Sequence, residues 1–416
     1  MAATECGRVV YILGAGVNQG TRNWNGLTPP MAKDVFAKAK AFEGWGLLRG
    51  EDLTNLFKLV EKVSGVTRDR IGEFPIDWED CYTAALQKQK EAAEAGDHAA
   101  AKTYWTVSVQ LIRIIAQVLE HFHTGGEVGE TTEQLTDIIR EQGASVLTFN
   151  YDCFIEENLE SRSGFNSGWL AHQVRTISPD EATRAAAASA RWNPRRTVWS
   201  RNVGYHVPFD LVPVEVGVGG RDLVAGSDFY GDPTNGFVEP CLLKLHGSTN
   251  WFRYTRQPAF PSPPFPEPPV SALADRSLIL EGQWWSSNYR WPNVDGLYLE
   301  PLILAGKDKA ERRTERPFNL LWEEAAKRLE ACTRLVAIGY SFSDDDIAKW
   351  IGSHLHQDQL DQVQIVLPSS VRVDEVCDKL GIDRCGLDFP TVDQFVWRHP
   401  LVVRKDPSCR FYQEPA

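Results

Sequence analysis

Five short runs of consecutive apolar residues, rich in β-branched side chains, punctuate the chain: Arg8 to Leu13, Ser145 to Phe149, Leu242 to Leu245, Leu335 to Ile338 and Gln364 to Leu367. A strand covered on one face alternates apolar and polar positions. These runs stay apolar at successive positions, the pattern of strands buried on both faces of a parallel sheet. Helical periodicity fills the intervals. Asp52 to Val63 sets Leu53, Leu56, Leu59 and Val60 on one face, Ala99 to His121 is long and amphipathic, and Asn319 to Ala331, Asp344 to His354 and Val371 to Leu380 read as further helices. The alternation predicts an α/β fold, a doubly wound Rossmann-like parallel sheet with a helical insertion subdomain. A single domain over 1–416 is expected, with a helical insertion over 76–143 and a mixed, poorly periodic insertion over 160–235.

Composition narrows the function classes. Apolar residues make up 43% of the 416 positions and charged residues 24%, which is globular. Lys and Arg total 44 against 56 Asp and Glu, a formal charge of −12. A net acidic chain lacks the broad positive field of non-specific nucleic-acid binding, so no direct nucleic-acid contact is expected, although a local basic patch stays open. No run approaches the length of a membrane span. The eight cysteines are scattered, without the close pairs of a zinc ribbon or the density of a disulfide framework, and a reducing cytoplasm fits them best. Val9 to Leu13 could imitate a signal-peptide core, but it runs straight into a glycine turn and reads as a strand. Seven prolines between Pro258 and Pro269 read as a stiff surface connector rather than as a ligand for a proline-binding module.

In an open parallel sheet, ligands bind at the carboxyl ends of the strands. Four of the runs end in polar or glycine-rich tips: Gly14-Ala15-Gly16-Val17-Asn18, Asn150-Tyr151-Asp152, His246-Gly247-Ser248 and Gly339-Tyr340-Ser341. Gly14 and Gly16 would let backbone amides approach a pyrophosphate, or would simply make a tight turn; Gln19 replaces the third glycine of the dehydrogenase fingerprint. Asp34 stands at a plausible distance for the ribose acid of such an enzyme. Asn150 and Asp152 suit a polar site, and Asp152 equally suits a cap for a helix beginning near Phe154. His246 is placed for acid–base work by its position opposite the other tips. Asp344, Asp345 and Asp346 read as favourable charge at a helix N-terminus rather than as a metal cluster. The loop glycine Gly339 and the Ser341 hydroxyl are candidates to contact a ribose or phosphate.

As a set, Gly14-Ala-Gly-Val-Asn18, Thr148-Phe-Asn-Tyr-Asp152, Leu245-His-Gly-Ser248 and Gly339-Tyr-Ser-Phe-Ser-Asp-Asp345 resemble the ordered motifs of the sirtuin superfamily. More narrowly, the chain is similar to bacterial sirtuin-like NAD hydrolases of anti-phage defence, and Ile76-Asp-Trp-Glu79 resembles a helical element of those proteins. The paired cysteines of a deacylase zinc module are missing from the sequence, and Phe149 and Tyr151 flank Asn150 in the manner of the hydrolase branch. The resemblance implies cleavage of NAD+ to ADP-ribose and nicotinamide without a metal. His246 would be the general base, Asn150 would position ribose and water, and Asp152 would orient the nicotinamide carboxamide or ribose. Gly14, Ala15, Gly16 and Asn18 would hold the phosphates and nearby ribose, with Gly339 and Ser341 on the adenosine side. It further implies a homo-oligomer or a partner such as a HerA-type ATPase or a short Argonaute. A zinc-free NAD-dependent deacylase and a non-catalytic NAD- or ADP-ribose-sensing module are the competing expectations.

Overall fold

A computed structural model describes residues 8–20, 22–23, 26–41, 52–127, 130–152, 154–155, 214–215, 222–223, 241–256, 278–280, 293–294, 297–306, 309–315, 318–368, 370–382 and 391–398. The expected mixed insertion and the proline-rich segment fall almost wholly outside these residues.

The sheet at the centre has five parallel strands: β1 (Val9–Leu13), β2 (Ser145–Thr148), β3 (Cys241–Lys244), β4 (Arg334–Ile338) and β5 (Gln362–Val366). Their spatial order is β5-β4-β1-β2-β3. The chain thus starts in the middle, runs out to one edge, and returns to build the other side from β4. Val10, Tyr11, Ile12 and Leu13 are all fully buried, and successive side chains of a strand face opposite ways, so both faces of β1 are covered. The cover comes from helices of matching amphipathicity. These are α5 (Glu130–Gln142), α6 (Phe318–Glu330), α7 (Asp345–His354), α8 (Ser370–Leu380) and α9 (Val392–Arg398), which give Leu135, Ile139, Leu321, Ile347, Val376 and Phe395 to the sheet's core. The α/β architecture read from the sequence is therefore present.

A second core lies beside the first. It is built from α1 (Val35–Ala41), α2 (Thr54–Ser64), α3 (Trp78–Glu94) and α4 (His98–Gly125), through residues such as Phe36, Leu56, Val60, Trp78, Leu111, Val118 and Phe122. This cluster starts at Val35, well before position 76, whereas α5 packs on the sheet. The helical packing thus follows spatial neighbours across the sequence boundaries drawn at 76 and 143. Phe154, Ile303 and Ala305 also belong to the helical cluster, so it abuts the carboxyl ends of β2 and β3. Among the described residues, no helix is long and apolar enough to cross a membrane.

Candidate functional site

The tips of β1 and β4 are joined backbone to backbone. The Gly14 amide donates to the Ile338 carbonyl at 3.0 Å, and the Gly16 amide donates to the Gly339 carbonyl at 3.1 Å. A Cβ on Gly14 would stand 2.5 Å from Gly339 O and from Tyr340 Cα. One on Gly339, whose φ is +63°, would stand 2.4 Å from the Val17 amide nitrogen. These glycines are required so that two turns can touch. Both amides expected to face a pyrophosphate are already spent on the neighbouring turn, which favours the tight-turn reading of the pair. Ala15 and Ser341 are half-buried, and Ser341 exchanges a 3.0 Å hydroxyl hydrogen bond with Ser343. Phe342, fully buried at φ 50°, completes the turn from β4 towards α7. Asp344 caps that helix by accepting from the amides of Asp346 and Ile347. Among the described residues, no His, Cys, Asp or Glu cluster is arranged to hold a metal ion. Asp34, the ribose-acid candidate, instead accepts from the Met31 amide just before α1.

The tips of β2 and β3 present side chains instead. Thr148 fixes the approach: its hydroxyl donates to the Leu13 carbonyl at 3.3 Å and accepts from the Asn150 amide at 3.2 Å. The Leu245 amide donates to the Thr148 carbonyl, which extends the ladder and carries Asn150 to the level of His246. The imidazole of His246 packs edge-on to Phe149, with centroids 4.9 Å apart, and stacks near Tyr151 at 6.2 Å. Both neighbours of Asn150 in sequence thus touch that ring. Gly247 takes φ +79°, a conformation that lets the chain turn directly after the histidine. Asp152 accepts from Asn18 Nδ2 at 2.8 Å, from the Phe154 amide at 3.1 Å, and through its carbonyl from the fully buried Lys244 ammonium. Asp152 therefore fills the capping position and also ties the β2 tip to that of β1. A carboxylate offers only acceptors, so it turns the Asn18 amide NH2 towards itself and leaves Asn18 Oδ1 facing away.

Asn18, Asn150 and His246 are at most 5% exposed, yet Asn18 Oδ1, Asn150 Nδ2 and His246 Nε2 have no hydrogen-bond partner. Buried polar atoms are nearly always paired, because leaving one unpaired costs about 1–3 kcal/mol. An acceptor, a donor and an imidazole nitrogen, each unpaired at the tips of three adjacent strands, could exchange hydrogen bonds with a polar ligand. Burial holds the His246 pKa well below its ordinary 6.5, and the positive charges of Lys309 and Arg313 push it further down. The ring is neutral at physiological pH, as a proton acceptor must be.

The helical layer reaches this site through Tyr151. Its hydroxyl lies 2.9 Å from Glu79 Oε1 and 3.0 Å from the Leu304 carbonyl, and its ring meets Trp78 edge-on at 5.9 Å. Burial and the Glu79 carboxylate raise the Tyr151 pKa far above its usual value, which keeps the phenol a donor. Glu79 also pairs with Lys309 at 2.6 Å. Asp77 caps α3 by accepting from the Glu79 amide, so the Ile76-Asp-Trp-Glu79 segment is a helix start that supports Tyr151. On the other flank, Phe149 stacks on Tyr340 at 4.3 Å and 16°, and Trp322 donates its indole N–H to the Leu245 carbonyl at 3.2 Å.

Of the residues singled out in the sequence, Asn18, Asn150, Asp152 and His246 come together, while Gly14, Gly16 and Gly339 form the adjoining turn contact. Glu79, Lys309, Arg313, Trp322 and Tyr340 also surround the site and were not assigned roles from the sequence. The signal available for Lys309 and Arg313 was their four-residue spacing on a helical turn just after Ala305-Gly306. Neither protein-family models nor curated proteins gave a match to the chain.

Proposed function

We propose that this chain is a sirtuin-like NAD hydrolase that cleaves NAD+ to ADP-ribose and nicotinamide, the activity by which such enzymes deplete NAD in anti-phage defence. The observation that carries the reading is the trio of buried, unpartnered atoms on Asn18, Asn150 and His246. They offer an acceptor, a donor and an unprotonated base, the set a ribose diol, a carboxamide and an attacking water require. The strand order β5-β4-β1-β2-β3 supports a doubly wound, Rossmann-like sheet whose order reverses between β1 and β4, beside this trio. The separate helical core supports an insertion subdomain closing over the tips of β2 and β3.

Nicotinamide leaves with the electron pair of its C–N bond, which neutralises the pyridinium and gives the ribose carbon oxocarbenium character. Asn150 holds the ribose and the water in line with that carbon, and the rigid Thr148 contacts keep its backbone fixed. His246 Nε2 takes the proton as water adds, directly or through a ribose hydroxyl. Asp152 sets Asn18 in orientation and stands by the leaving group. Phe149, Tyr151 and the surrounding aromatic side chains exclude bulk water from the imidazole.

The test is product analysis on the purified full chain with NAD+ and no acylated peptide. ADP-ribose and nicotinamide in equal amounts are expected. Formation of acyl-ADP-ribose only when an acylated peptide is added would assign the deacylase chemistry instead, and tight ADP-ribose binding without turnover would assign a sensor.

A further inference from the structure

Arg313 stands beside this site with its side-chain Nε–H unpaired. Its guanidinium carbon lies 4.2 Å above the Trp322 ring, and its Nε is buried without a partner. A guanidinium carries its N–H donors in its own plane, so a cation held over a ring can still direct them at an anion. Asp344 and Asp346 act on it through space, but the Asp344 carboxylate is already engaged with the amides at the start of α7. Trp322, which carries Arg313, is bonded to the carbonyl just before His246 and packs 6.3 Å from Phe149, just before Asn150. Trp322 therefore links the cation to the strand tips that carry both proposed reacting residues. Lys309, one turn earlier, is committed to Glu79. The Gly14 and Gly16 amides, the other natural phosphate donors at this edge, are committed to Ile338 and Gly339.

We infer that Arg313 is the phosphate-binding residue of the strand-tip site, gripping phosphate oxygens of the substrate through the free edge of its guanidinium. This deepens the dinucleotide reading and rests on it, and the chemistry is a phosphodiester or pyrophosphate anion. A planar fork can take two phosphate oxygens at once, and charge-assisted bonds of this kind are roughly twice as strong as neutral ones. Its placement also explains why the site can dispense with the glycine amides. The field that depresses the basicity of His246 is the same field that attracts the anion.

The experiment compares equilibrium binding of ADP and of adenosine to the full chain, its Arg313→Lys variant and its Arg313→Gln variant. The wild-type chain should prefer ADP by about tenfold or more. Arg313→Gln should cut that preference to about threefold or less with adenosine affinity unchanged, and Arg313→Lys should fall between, because it keeps charge but loses the fork and the stacking. An ADP preference that survives Arg313→Gln, or a wild-type chain with no preference, overturns the assignment. Should Arg313→Gln not fold, phenylglyoxal modification of the wild-type chain decides. Protection of Arg313 by ADP or by inorganic pyrophosphate, and not by adenosine, supports the subsite, and equal modification with and without them rejects it. NAD+ turnover is read in parallel. An Arg313-dependent ADP preference in a chain that never consumes NAD+ would keep the subsite and remove the hydrolase reading, whereas turnover with no such preference would do the reverse.

Discussion

The two halves of the strand-tip edge solve different problems with the same kind of position. At β1 and β4 the chain brings backbone to backbone: Gly14, Gly16 and Gly339 have no side chains, and the amides of the first two are satisfied across the gap. At β2 and β3 it brings side chains, and Asn150 and His246 are left buried with unmet bonds. The first half is closed and stable by itself. The second leaves buried polar atoms that a polar ligand or an ordered water would satisfy. Asn18 belongs to both, since it follows the glycine turn and leans on Asp152 across the sheet.

The sharpest way to break the contrast is to exchange the consequences of mutation between the halves. His246→Ala and Asn150→Ala should each lower NAD+ turnover by about 10²–10⁴-fold, the range for losing a positioned acid–base or orienting group. Both variants should stay folded: neither orphaned atom contributes a hydrogen bond to the fold, and His246→Ala should lose melting temperature only through the cavity left where its ring packs on Phe149 and Tyr151. Steady-state turnover beside thermal unfolding checks both. Gly339→Ala should do the opposite in kind. Its new methyl meets the Val17 amide at 2.4 Å on a backbone with φ +63°, so about 2–4 kcal/mol of stability should be lost, read by denaturant unfolding. A Gly339→Ala chain of wild-type stability would mean that the two turns are not in contact, and the division between the halves would collapse.

Sequence pattern reveals the two halves unequally. All five sheet strands lie within two residues of the expected runs, because burial on both faces writes a local, continuous apolar signature. α7 begins at Asp345 with Asp344 as its cap, as the acidic start indicated. Asn150 and His246 stand out in the sequence because each is a polar residue directly after such a run, whereas Asp152 carries the capping signature that its bond to the Phe154 amide fulfils. The partners of the Gly14 and Gly16 amides were not visible, since Ile338 and Gly339 are distant in sequence and only the parallel pairing of β1 with β4 brings them close. Nor were Lys309 and Arg313, which arrive on a segment without the parallel-strand pattern. The start of the helical cluster at Val35 was hidden for a similar reason: amphipathicity shows that a helix has an apolar face and is silent about which core receives it.

The smallest expected effect, and the finest test of the contrast, is its pH dependence. The β2–β3 half holds His246, whose pKa lies well below 6.5 through burial first and the charges of Lys309 and Arg313 second. The base works unprotonated, so the acid limb of kcat/KM should fall below the ordinary imidazole value. Lys309→Met removes the larger of the two cationic effects and also exposes the Glu79 carboxylate, so the limb should move up towards 6.5. Stability carries the same sign. Below about pH 6.5 the unfolded chain binds a proton at His246 that the folded chain refuses, so acidification favours unfolding until the folded pKa is passed. Between about pH 7 and pH 5, wild-type stability should therefore fall more steeply than that of His246→Ala, while Gly339→Ala keeps the wild-type slope from a lower starting point. Equal slopes for wild type and His246→Ala would mean that the imidazole titrates normally in the folded chain, and the buried, neutral base on which the β2–β3 half depends would be lost.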